Sequence, residues 1–192
     1  MTEARRVATH ADLNGLPDRM VGEILGGELY TSPRPASRHA RAASVLGGEL
    51  VTGFGRRKSR GPGGWVILDE PELHLGADVV VPDVAGWRRD RMPEIPDVAA
   101  FTLAPDWVCE VLSPATARFD RQQKMPIYAR EGVAHLWLVE PTLRTLEVFR
   151  RQGDHWLLLA THGGDTQVRA EPFDAVELDL SEWWSDPDPK AG

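Results

Sequence analysis

The stretch from Trp107 to Gly132, WVCEVLSPATARFDRQQKMPIYAREG, constrains this chain more than any other. An apolar run, Trp107-Val108-Cys109, is interrupted by Glu110, resumes at Val111-Leu112 and stops at Ser113-Pro114. The pattern predicts a core strand over Trp107 to Leu112 with a carboxylate inside it. An unpaired charge in such a place costs roughly several kcal/mol or changes its protonation state. The fold must therefore bring Glu110 an arginine, a lysine or a metal ion. Thr116 is placed to cap a helix that carries Asp120 and Lys124, four apart on one helical face. On an open surface that pair would be worth only about 0.5 kcal/mol. Pro126 forbids an unbroken helix and predicts a kink or a restart. Gly132 suits the left-handed cap that ends it.

A second acid sits in a similar setting. In DVVVPDVAGW (78–87), Val79, Val80 and Val81 favour a strand. Pro82 cannot donate to a ladder, so the strand is an edge there or bends. Asp83 follows at once, then apolar Val84 and Ala85.

The other segments supply a scaffold. A short helix is predicted after Thr9, ending near Gly15–Pro17. Met20 to Leu25 and Glu28 to Ser32 flank Gly26-Gly27, a hairpin pattern. Glu23, in its first arm, reads by itself as an exposed strand residue. Helical spacing of Ala43, Leu46, Leu50 and Val51 predicts a helix over Ala36 to Val51. His39 lies in its first turn, where a lone histidine is ordinarily a surface or capping residue. A glycine-rich basic loop over 53–64 precedes strands at Trp65–Leu68 and Leu73–Leu75, and 88–106 reads as a loop. Ala134 to Val139 predicts a strand buried on both faces. Thr145–Arg150 and His155–Ala160 predict a hairpin around Gln152-Gly153, with His135 and His155 as structural residues. Val176 to Leu180 reads as a last strand and Ser181 to Trp184 as a short helical end. Trp183-Trp184 must pack on this domain or on a partner.

At 192 residues the chain fits one domain, taken as 1–184, with a loose tail over 185–192. The 42% hydrophobic content and seven tryptophans argue against disorder. The single cysteine, Cys109, forbids an intrachain disulfide, which fits a reducing compartment. No apolar run approaches the ~20 residues of a membrane span, and the N-terminus lacks the apolar middle of a signal peptide. A soluble cytoplasmic protein with no membrane partner is expected. The net charge of −7 works against non-specific nucleic-acid binding. Two basic clusters, Arg56-Arg57-Lys58 with Arg60 and Arg88-Arg89 with Arg91, read as solvated loops unless they border the acidic residues.

Two carboxylates from neighbouring strands form a hard oxygen site suited to Mg²⁺ or Mn²⁺. Such an ion activates water and polarises a phosphoryl oxygen. A lysine beside it can hold or deprotonate the attacking water and steady developing charge. Asp83, Glu110 and Lys124 are thus minimal equipment for phosphodiester hydrolysis. The sequence has no zinc-type Cys/His spacing, no P-loop and no GxSxG elbow.

These residues carry a resemblance. Val81-Pro82-Asp83-Val84, then Glu110-Val111-Leu112-Ser113-Pro114, Asp120, Lys124, Tyr128, Gly132-Val133 and Leu136 to Pro141 resemble the Uma-type restriction endonuclease family of the PD-(D/E)XK nuclease superfamily, long known as a domain of unknown function. Gly22-Glu23, Gly26-Gly27-Glu28-Leu29 and His39 fit it as well, and the likeness spans roughly 10–180. The resemblance implies an α/β (α+β) fold with a restriction-endonuclease-like core: a central mixed sheet flanked by helices, here with an N-terminal hairpin. It implies Asp83 and Glu110 as metal ligands, with the Val111 carbonyl completing the shell. Leu112 stands where the superfamily pattern has lysine, and Lys124 on the next helix takes that role. Asp120 would orient Lys124 or a water, Glu23 would add a third carboxylate, and His39 is a further candidate.

The expected activity is divalent-metal-dependent endonucleolytic hydrolysis of DNA. Cutting two strands favours two active sites, so a homodimer is among the expectations. The alternative is a non-catalytic nuclease-fold protein that binds nucleic acid or a protein partner, which the negative charge favours. Hydrolysis of another phosphate ester is a third reading.

Overall fold

A computed structural model describes residues 7–17, 20–33, 36–55 and 61–184. Thr9 opens α1 (His10–Asn14), with the Asp12 carboxylate accepting from both the Thr9 backbone N–H and its hydroxyl. The hairpin is β1 (Met20–Leu25) and β2 (Glu28–Pro33). Gly26 and Gly27 turn it at φ 58° and 80°, a conformation that costs glycine little. Helix α2 (Ser37–Leu50) buries Ala42, Leu46, Gly47 and Leu50 on one stripe, then widens to a π-helical turn over Val51–Gly55. The basic residues of 56–60 lie outside the described residues, as does the tail 185–192. Strands β3 (Trp65–Asp69) and β4 (Leu73–Leu75) follow as expected.

The segment 78–87 differs from expectation. Pro82 does not merely bend one strand: it separates β5 (Asp78–Val80) from β6 (Val84–Arg88), and these belong to different sheets. Asp83 therefore lies at a crossing between sheets, not inside a strand. Its backbone carbonyl accepts from Glu70 N–H at 3.0 Å.

Strand β7 (Trp107–Val111) is buried at every residue, Glu110 included. The following helix is continuous in space but not uniform. It comprises α3 (Ala117–Phe119), a π-helical turn at Asp120–Lys124 and α4 (Met125–Arg130), with Pro126 in the first turn of α4. Gly132 adopts φ 85° as its position requires. Strand β8 (His135–Glu140) is buried through its centre. The last hairpin, β9 (Thr145–Gln152) and β10 (His155–Gly163), is longer than expected. The expected strand at 176–180 is reduced to β12 (Leu178–Asp179), paired with β11 (Gln167–Val168) and followed by a 3-10 turn over Leu180–Trp183.

The main sheet runs β10-β9-β8-β7-β6-β3, with β7 and β8 parallel and the other neighbours antiparallel. A second sheet runs β2-β1-β5-β4. Strand alternation gives β7 two faces. Trp107, Cys109 and Val111 pack in the cluster that holds Leu46 and Leu50 of α2 and Phe173, Trp183 and Trp184 of the C-terminal segment. Val108 and Leu112 pack in the cluster that holds Ile127 and Tyr128 of α4 and Leu73, Leu75 and Val80 of the second sheet. Glu110 belongs by register to this second face. The terminal tryptophans thus dock on their own domain: Trp183 Nε1 donates to Glu49 at 2.7 Å and Trp184 Nε1 to the Gly164 carbonyl at 3.0 Å. Among the described residues, no helix is long and apolar enough to cross a membrane.

Candidate active site

The break at Pro82 builds the site. Val81 has left the ladder of β5, so its N–H and C=O need new partners. Glu23 Oε1 accepts from Val81 N–H at 2.8 Å, and Lys124 Nζ donates to the Val81 carbonyl at 3.0 Å. Asp83 does the same for the next strand: its Oδ2 accepts from Val111 N–H at 2.7 Å. Three charged side chains are thereby fixed by peptide groups released where strands end.

Lys124 is the partner Glu110 requires. Its Nζ lies 2.8 Å from Glu110 Oε1, 3.1 Å from Glu23 Oε1 and 3.9 Å from Asp120 Oδ1. The surface pair considered for Asp120 and Lys124 is thus a buried one; the lysine side chain is 4% exposed. The Tyr128 hydroxyl donates to Glu110 Oε1 at 2.6 Å. His39 reaches the group from α2, with Nε2 3.3 Å from Asp83 Oδ1. All of these but Tyr128 line a cleft of about 590 Å³ between the sheets and the helix at 117–130.

Four carboxylates thus face one ammonium. Burial pushes the Glu110 carboxyl well above its usual range; Lys124 opposes this, while Asp120, Asp83 and Glu23 reinforce it. Burial likewise raises the Asp120 carboxyl to about 6, against the pull of Lys124 and a hydrogen bond from Thr116. Burial also disfavours charge on Lys124, but Glu110, Glu23, Asp120 and Asp83 outweigh it and hold the lysine above its ordinary value. Lys124 is therefore held as an ammonium by the carboxylates that touch it at 2.8 and 3.1 Å. Burial first, then Glu110, keeps the Tyr128 phenol neutral and donating. For His39, burial lowers the imidazole pKa, but hydrogen bonding and attraction to Asp83 turn the net shift upward.

A divalent cation fits this donor set. The group carries more carboxylate than its lysine neutralises, and His39 Nδ1 is buried without a hydrogen-bond partner. Among the described residues, no three side-chain ligands of the cleft lie within 4.8 Å of one another.

Glu23, His39, Asp83, Glu110, Val111, Asp120 and Lys124, singled out from the sequence, all line this cleft. Glu70 was missed, although it lines the cleft from a left-handed conformation, φ 44°. Ser113 and Thr116, whose hydroxyls lie 3.1 Å apart, were also missed as lining residues. Tyr128 had no assigned role, though its spacing of four from Lys124 was a usable signal. The basic cluster at 88–91 lies at the far end of β6 from Asp83 and is otherwise engaged. Arg88 covers the Trp65 ring at 4.9 Å, Arg89 donates to the Gly55 carbonyl and Arg91 pairs with Asp106.

A mixed sheet flanked by helices, with acids gathered where its strands end, has the architecture of restriction-endonuclease-like nucleases. A crystal structure from Anabaena variabilis, titled as a putative nuclease belonging to DUF820, superposes with a TM-score of 0.74. It is 20% identical, over 92% of this chain and 97% of its own, and that likeness concerns the fold. Residues 14–181 match the model of the family described as "Uma2: Putative restriction endonuclease", and the chain belongs to that family. No curated protein matches the sequence.

Proposed function

We propose that this protein is a divalent-metal-dependent endonuclease that hydrolyses DNA phosphodiester bonds. The observation that carries the reading is the junction of Asp83, Glu110 and Lys124 in one cleft, with the ammonium 2.8 Å from Glu110. Family membership supports the nuclease class.

Asp83, Glu110 and the Val111 carbonyl would hold Mg²⁺ or Mn²⁺, with His39 beside them. When bound, the ion supplies Lewis acidity toward a phosphoryl oxygen and a lower pKa for water. Lys124, held as an ammonium, donates hydrogen bonds. Its three N–H groups already meet Val81, Glu110 and Glu23, so it would stabilise charge developing on the phosphate through its field or by exchanging one of these bonds for the attacking water, and in this state it cannot take the water's proton. Asp120 and Glu23 hold Lys124 in place and keep it charged. Tyr128 fixes the Glu110 carboxylate through its hydroxyl.

A second reading has its own support. Among the described residues the basic groups lining the cleft are His39 and the buried Lys124, and Arg88 to Arg91 are remote from it. A non-catalytic nuclease-fold protein that binds nucleic acid or a protein partner would need no more.

Cleavage of plasmid and linear DNA, with Mg²⁺ or Mn²⁺, separates the two readings. Asp83→Asn and Glu110→Gln should each reduce the rate at least about 100-fold while leaving the protein folded. DNA binding without cleavage under any divalent ion would favour the second reading, and undiminished cleavage in both variants would overturn the roles given to Asp83 and Glu110.

A further inference from the structure

We propose a transition-metal site, separate from the cleft, formed by His10, Glu72 and His74. One ligand atom from each lies within 4.8 Å of the other two, the one such group among the described residues. Glu72 immediately precedes β4 and His74 lies within it, two residues on, and the two side chains meet. His74 Nε2 already meets Glu72 Oε1 at 2.6 Å, in contact that a metal can take over from a shared proton. His10, the first residue of α1, sets its ring 4.3 Å from that of His74, tilted by 48°.

Two imidazoles and a carboxylate are the donors of Zn²⁺ and its neighbours, not of Mg²⁺. Ligand atoms around tetrahedral zinc stand about 3.4 Å apart. The Glu72–His74 contact must open slightly and the widest pair must close by about 1.4 Å at most, a change side-chain rotation can supply. His10 is exposed and the other two are half-buried, so water can complete the shell.

The consequence is structural. Helix α1 has five residues and buries none of them. Its other anchors are the Ala8 N–H on the Gly27 carbonyl, at 2.8 Å, and leucines 13 and 16 covering Gly22. A metal joining His10 to β4 would pin the N-terminal segment to the second sheet, one strand from β5 and the Pro82 break. The site does not depend on the nuclease reading, because none of its three residues lines the cleft.

Zinc binding to the full chain tests it, by calorimetry with millimolar Mg²⁺ present and by the visible spectrum of the Co²⁺ form. One Zn²⁺ per chain is expected in the wild type and in Glu110→Gln. His10→Ala and His74→Ala should each weaken binding at least tenfold, and zinc should slow proteolysis within residues 7–17 in the wild type and Glu110→Gln but not in these two variants. His10 is exposed, so its variant keeps the test valid if His74→Ala misfolds. Undiminished binding in His10→Ala, or no binding to folded wild type at micromolar zinc, would overturn the proposal. Zinc lost in Glu110→Gln but kept in His10→Ala would place the ion in the cleft and overturn it equally.

Discussion

The two faces of β7 are built on opposite principles. One face is aromatic and uncharged: the Trp107 ring meets those of Trp137 at 5.2 Å and Phe173 at 5.0 Å, both nearly perpendicular. Trp183 closes over Trp137 at 6.2 Å. Gly86 makes room on this face, since a Cβ there would stand 3.2 Å from the Trp107 ring and 3.3 Å from that of Trp65. The other face takes Glu110 into the core and surrounds it with Lys124 and Tyr128. Hydrophobic burial and edge-to-face contacts stabilise the first face outright. The second carries desolvated acids that a single lysine offsets only in part. The difference teaches where stability comes from and where it is given up to gather charge in a cleft.

Truncating the aromatic face should cost the most stability. Trp137→Ala should destabilise by about 3–5 kcal/mol in urea, with DNA cleavage per folded molecule unchanged. A cleavage loss as large as that of Glu110→Gln would mean that the faces do not divide the labour.

Lys124→Met attacks the other face by removing the ammonium that its acids share. Leaving the acids uncompensated should cost about 3–5 kcal/mol at neutral pH. The penalty should shrink toward pH 5, because Glu110 and Asp120, already raised by burial, then take up protons. A pH-independent loss would make the lysine a packing element like Trp137.

Asp120→Asn gives a smaller, signed effect. The Asp120 carboxyl is raised from 3.8 to about 6, so its folded state favours the proton. The stability this contributes is full below about 3.8 and is lost as pH rises through about 6. Relative to wild type, the amide should therefore gain up to about 3 kcal/mol between pH 4 and pH 7.5 without divalent ions. The groups facing Asp120 are Lys124, Thr116, Asp83 and Glu23. A flat difference across that range would show that the carboxylate is not held out of water.

How much of this was legible in the sequence follows the same division. The demand for a cation beside Glu110 could be read from its interruption of an apolar strand, and Lys124 could be found one helix later. The position of Lys124 among three carboxylates could not, because it depends on the π-helical turn at 120–124, which helical periodicity does not reveal. Asp83 was visible as an acid after Pro82, but not as the point where the chain changes sheets. That depends on which strands pair, a non-local choice. Glu70 had no local signal, since its backbone N–H meets the carbonyl of Asp83, which is distant in sequence. Trp183 and Trp184 announced a docking surface; Glu49 and Gly164 as their partners are distant in sequence and had none.

The most direct test of the charged face as a cation site is a Mn²⁺ titration of wild type, Asp83→Asn and Glu110→Gln, with and without DNA. In wild type near pH 6, binding should release protons, seen as a heat that varies with the buffer, because burial raises the Glu110 and Asp120 carboxyls and a cation opposes that rise. Both variants should lose that binding. Wild type that binds no Mn²⁺ even with DNA, or variants that bind it as wild type does, would contradict the assignment.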